Sequence, residues 1–184
     1  MRLKAFTGIF LLFISCSGLQ AQEHDPDHRT GESHEFKRHR IALIIGHGHV
    51  FGAENIDNKK SIITIPTWGL DYQYWVNPKF GCGLKSDMEI MEYLVKTDNG
   101  TLLERQNPLI ISTVFLYHPA RGWNFLIGPG IEFEEEHNFF VVRTGVAYEF
   151  ELGNHWDFSP ELIFDLKNGS IGAITWGIGV GKRF

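Results

Sequence analysis

The chain has 184 residues, with 17 Lys and Arg against 22 Asp and Glu, 43% hydrophobic residues, 20 glycines and 25 aromatic side chains. That length holds one domain, and a composition so rich in apolar and aromatic residues excludes extended disorder. A helical membrane protein is excluded too, because the only long apolar run stands at the N-terminus and is too short and wrongly flanked to span.

That run reads as an export signal over residues 1–21. Arg2 and Lys4 form a positive start, Phe6 to Ile14 an apolar centre, and Leu19-Gln20-Ala21 a small-residue cleavage site. Its removal would take away Arg2 and Lys4 and leave 15 cations against 22 carboxylates, a net charge of −7. It would also leave Cys82 as the single cysteine, so no internal disulfide could support the exported chain. Residues 22–39 follow as a polar leader without helical or strand period. The leader carries His24, His28, His34 and His39, and no ligand spacing in it fixes a metal geometry.

From Arg40 onward the sequence alternates with period two between turn residues. Eight segments are expected, near 40–53, 61–76, 80–96, 106–118, 123–134, 139–152, 156–167 and 171–184. The faces separate cleanly. In the second segment Trp68, Leu70, Tyr72 and Tyr74 oppose Gly69, Asp71 and Gln73. In the third, Phe80, Cys82 and Leu84 oppose Gly81, Gly83 and Lys85. In the fifth, Trp123, Phe125 and Ile127 oppose Asn124 and Gly128. In the eighth, Trp176, Ile178 and Val180 oppose Gly177, Gly179 and Gly181.

A soluble sheet buries its apolar face. Here the segments exceed both the usual soluble strand of about 5–6 residues and the roughly 9–11 residues of a tilted membrane strand. The polar faces combine glycine with mixed charge, as the cramped interior of a small barrel requires, and the other faces are large and aromatic, as lipid contact requires. Short connections at 77–79, 118–122 and 153–155 alternate with polar loops near 54–60, 97–105, 134–138 and 167–170. The expected fold is therefore all-β, an eight-stranded antiparallel up-and-down transmembrane β-barrel over residues 40–184.

With those features the chain resembles the small eight-stranded outer-membrane barrels of Gram-negative bacteria, the OmpX-like and OmpA-like group. The resemblance covers residues 40–184 and includes the last segment, Ile171 to Phe184. It implies residence in the outer membrane among its lipids. It also implies a monomer whose C-terminal strand, ending in Phe184, is read by the barrel-assembly machinery. It is nearly silent on activity.

The expected interior holds an ionic network of Lys85, Asp87, Glu89, Glu132, Arg143, Glu149, Glu161 and Asp165, with Asp71, Glu134, Glu151 and Asp157 on the same faces. Charges in so narrow a lumen must be paired or hydrated, and eight strands leave little bore. A plugged interior with a structural or surface-interaction role follows. The competing reading is a cation or small-ligand binder or narrow channel using Glu89, Glu132, Asp165, His47 and His49. His47 and His49 share a face of the first segment and are expected inside, or beside a glycine bulge, where they could ligate a metal with a neighbouring carboxylate. A third reading is a lipid-modifying acyl hydrolase. Ser86 is the main mid-strand serine on the expected lipid face and Ser112 a candidate interior one, and neither has an evident His at matching depth, so no catalytic residue is assigned. No cofactor is expected, and with no basic stripe or phosphate loop no nucleic-acid partner is expected either.

Overall fold

The computed structural model describes residues 36–54, 60–96, 102–134, 138–168 and 171–184. The expected export signal and leader residues 22–35 lie outside the described residues. Among the described residues eleven strands follow in chain order: β1 (His39–Glu54), β2 (Lys60–Trp75), β3 (Phe80–Glu89), β4 (Glu92–Lys96), β5 (Leu102–Gln106), β6 (Leu109–Ala120), β7 (Trp123–Phe133), β8 (Phe139–Tyr148), β9 (Phe150–Gly153), β10 (Trp156–Lys167) and β11 (Ile171–Arg183).

They make a closed antiparallel barrel of eight staves: two of the expected segments, 80–96 and 139–152, are each broken once, and β5 forms mostly within the stretch expected as the loop 97–105. β4 follows β3 past Ile90 and Met91 but leaves its stave, pairing with β5 and, at Val95↔Ala53, with β1; β5 leads into β6 through Asn107 and Pro108, and β9 continues β8 past Glu149. Two of the interruptions have a local cause. Asn107 has a positive φ of 43°, and the following proline has no N–H to give the ladder. At Glu149 the backbone N–H turns away to the carbonyl of Gly122, at 2.7 Å.

Closure comes from β1, which pairs with β2 along one edge (Ile45↔Trp68) and with β11 along the other (Arg40↔Arg183 to Val50↔Ala173). A closed sheet leaves no unpaired edge, the condition for a sheet to lie in an apolar medium. At one end the connections are tight. Asn77 Oδ1 accepts the N–H groups of both Lys79 and Phe80 at 2.9 Å, which fixes the β2–β3 turn. In the β6–β7 turn Gly122 has φ of 81°, and a Cβ there would stand 2.6 Å from the Tyr148 ring, so only glycine fits.

Period-two alternation then assigns every side chain to the lumen or the outer surface. Outside stand Leu43, Ile45, Leu70, Phe115, Ile127, Leu162 and Val180, with Ile45 65% and Ile127 56% exposed. Inside, Asp71 is fully covered and Arg143 is 1% exposed. The molecule carries its apolar surface outward and its charges at its centre. Two small apolar clusters share the interior with those charges: Trp75, Val114, Leu116, Leu126 and Ile163 toward the tight-turn end, and Val50, Ile65 and Ala173 toward the loop end.

Candidate functional site

The lumen is built as a stack of ion pairs whose partners come from different strands. Lowest, near the tight turns, Arg40 of β1 reaches Asp157 of β10 through two bonds, Nε to Oδ2 at 2.8 Å and Nη2 to Oδ1 at 2.5 Å, and also donates to Ser159 Oγ at 2.9 Å. Arg183 Nη2 donates to Glu149 Oε2 at 2.5 Å, and Asn124 Nδ2 donates to Oε1 of the same carboxylate at 2.6 Å. The Arg183 guanidinium also lies over the Trp75 ring at 5.4 Å.

The second level is Lys85 of β3. Its Nζ bonds Asp71 on the adjacent strand and crosses the lumen to Glu161 Oε2 of β10 at 2.9 Å. The third is Arg143 of β8. Its Nε and Nη2 clamp both oxygens of Asp165 at 2.8 Å, and Nη1 reaches Asp87 on the far wall. At the fourth, Lys167 Nζ lies 2.5 Å from Glu132 and 3.4 Å from Glu89, while Arg105 of β5 bonds Glu132 and Glu134 and sits over the Phe139 ring at 4.7 Å. Paired, hydrogen-bonded charges of this kind meet the condition for burying ions at low dielectric.

Among the described residues these levels hold six cations and nine carboxylates. The excess of acid is clearest in the middle, where Lys85 and Arg143 face four carboxylates: Asp71, Glu161, Asp87 and Asp165. Asp71 Oδ1 and Gln73 Oε1 are buried there without a hydrogen-bond partner.

All eight residues of the expected network face the lumen, and the structure brings them into a single column. Glu151 is a correction. Period two places it beside Glu149; it does pair with Asp157 of β10, on the inward parity, but it is exposed at the tight-turn end, as is every residue of Phe150–Gly153. His47 and His49 are the second correction. They project outward, not inward: His47 stacks on Trp176 at 5.2 Å, and His49 Nδ1 lies 3.1 Å from Thr64 Oγ1. The reason is Gly46, on the opposite parity. A Cβ there would stand 2.5 Å from the Trp176 carbonyl oxygen, so the glycine parity must take the crowded inner face. The two histidines therefore lie apart from the interior carboxylates, and among the described residues no group of three or more His, Cys, Asp or Glu side chains is placed to hold a metal ion.

Ser86 faces outward and donates to the Leu70 carbonyl at 2.8 Å, whereas Ser112 is buried inside with its Oγ unpaired. Four interior cations were missing from the expected network: Arg40, Arg105, Lys167 and Arg183. Lys167 shares the parity of Glu161 and Asp165 and Arg40 that of Ala42 and Gly46, so alternation alone contained both. Arg105 lies across the Asn107–Pro108 break, where parity is lost.

No family model matches the chain, and no curated protein matches it either. Solved structures do. Ail, the attachment invasion locus protein of Yersinia pestis, is 12% identical over 81% of this chain and 100% of its own, with a TM-score of 0.51. The outer membrane protein OprG from Pseudomonas aeruginosa is 15% identical over 80% of this chain and 97% of its own, with a TM-score of 0.52. At such identities the likeness is one of fold: the chain is similar to small outer-membrane barrels in strand number, pairing and closure.

Proposed function

We propose that this chain is an exported, monomeric outer-membrane barrel whose interior is an ionic plug, and that its role is structural or one of surface interaction. The observation that carries this is the stack of cations bridging carboxylates on different strands, from Arg40 at one end of the lumen to Arg105 at the other. Side chains held in pairs at every level support this reading, because an ion crossing the lumen would have to displace them. The apolar outer face needs lipid around it, and the amphipathic final strand ending in Phe184 is the segment offered to the barrel-assembly machinery.

The cation-site reading has lost ground. Glu89 and Glu132 are held by Lys167, Asp165 by Arg143, and the two histidines face away. As for surface interaction, one structure of Ail is in complex with the heparin analogue sucrose octasulfate. In this chain residues 54–60, 97–104 and 135–138 carry six carboxylates against two cations, a balance that does not suit a polyanion.

Conductance across a planar lipid bilayer tests the plug. The inserted wild-type protein is expected to give no stable current between moderate positive and negative potentials. A steady, cation-selective current would overturn the plug and restore the narrow channel.

A further inference from the structure

The outer rim at the tight-turn end carries a second charge pattern, separate from the lumen. Arg38, Lys79, Arg121 and Lys182 are all exposed there, and none is in an ion pair with a described residue. Among the described residues the exposed acidic side chain at this end is Glu151, on β9.

The four cations are not scattered. Arg38 donates Nη1 to the carbonyl of Val76, in the turn that also contains Lys79, at 2.8 Å. The Lys79 carbonyl in turn accepts the N–H of His118 at the end of β6, at 2.8 Å, and Arg121 stands in the following turn. Lys182 lies on β11, which pairs with β1 beside it, and its Nζ sits over the Trp156 ring at 5.1 Å. The cations thus follow an arc from β11 through β1, β2, β3 and β6 to the β6–β7 turn, and Glu151 marks the rest of the circle.

Just above the arc stand outward aromatic rings, including Phe80, Tyr117, Trp123 and Trp156. An aromatic belt of this kind marks the level of lipid headgroups, so the cations lie where phosphates would be. We propose that this arc is a binding surface for anionic glycerophospholipids in the leaflet at the tight-turn end of the barrel; the proposal rests on the membrane reading above. A zwitterionic headgroup brings its own ammonium, which an arc of cations repels. An anionic headgroup leaves its phosphate charge uncompensated and gains from each nearby Lys or Arg.

The test uses the full chain inserted into nanodiscs of phosphatidylcholine, with trace spin-labelled phosphatidylglycerol or spin-labelled phosphatidylcholine as the probe. The wild type is expected to bind the anionic probe about fivefold more strongly than the zwitterionic one at low salt, with the preference falling as salt rises. Lys79→Gln with Arg121→Gln and Lys182→Gln is expected to bring the ratio close to one, while Glu151→Gln is expected to raise it. If the triple variant does not insert, Lys79→Gln and Arg121→Gln singly make the same comparison. Insertion with equal binding of the two probes, as an arc built for an acidic soluble partner would give, overturns the proposal. An equal preference in wild type and variants also overturns it. Failure of the wild type to insert in any nanodisc contradicts the membrane reading instead.

Discussion

Arg143 shows what a single residue does in this lumen. Its guanidinium holds Asp165 through two bonds and Asp87 through a third, on opposite walls, with almost no exposure. Removing it leaves two buried carboxylates without a cation, and stranding charges in this way costs more than the pair itself contributes. Arg143→Met is therefore expected to lower stability by roughly 3–5 kcal/mol. The same change combined with Asp87→Asn and Asp165→Asn is expected to recover most of that loss. Unfolding midpoints in urea, followed by the shift of the folded band on unboiled gels, read both. Equal losses in the single and triple variants would mean that Arg143 acts through its volume and not its charge. His47 makes the complementary case. Facing outward, it gains nothing from the interior carboxylates, so His47→Leu is expected to leave the midpoint unchanged or to raise it. A marked loss, or a zinc affinity that disappears with His47, would return the ring to the lumen.

At the scale of the strand, the alternation of large apolar residues with Gly and charged residues made most of the architecture legible. β2, β3, β7, β10 and β11 each present the faces that period two assigns them. Legibility ended where the physics changed. In β1 the inner residues beyond Arg40 are Ala42, Ile44, Gly46, Gly48 and Val50, so apart from that one cation at its start the inner face is apolar, while His47 and His49 stand on the outer one and polarity over most of the strand points the wrong way. Size could have chosen, because glycine marks the inner wall in β3, β7 and β11 and Gly46 and Gly48 share one parity. At Glu149 and at Asn107-Pro108 the ladder is broken, and counting by two carries no information across a break. In β6 the inner face is mostly apolar, Ile110, Val114 and Leu116, which a charge-based view of the lumen does not anticipate. Closure is the element-level claim most open to a direct check. Ile45 of β1 and Ile178 of β11 are direct partners on the outer surface, and partners across an antiparallel pair stand within disulfide reach. Ile45→Cys with Ile178→Cys in a Cys82→Ser background is expected to crosslink under mild oxidation in the folded protein. Ile45→Cys paired with Ile127→Cys, across the barrel, is not expected to. Equal crosslinking of the two pairs would contradict the closed register.

Over the whole molecule, polarity is inverted. The apolar side chains are outside, and the centre is a column of ion pairs interleaved with two small apolar clusters. In water such a surface would favour association, and the interior would contribute little hydrophobic stabilisation of its own. In lipid the same surface is matched, the backbone is satisfied by closure, and the interior pairs are shielded from competing solvent. The fold, the proposed plug and the proposed lipid-binding rim therefore all depend on which solvent the strands face. The most direct measurement is far-ultraviolet circular dichroism with protease resistance, taken on the full chain in detergent micelles and in plain buffer. The account predicts β-structure and a resistant core in micelles, and neither in buffer. A stable, protease-resistant monomer with the same β-signal in buffer would contradict the lipid-facing assignment of Ile45, Leu70, Phe125 and Ile127.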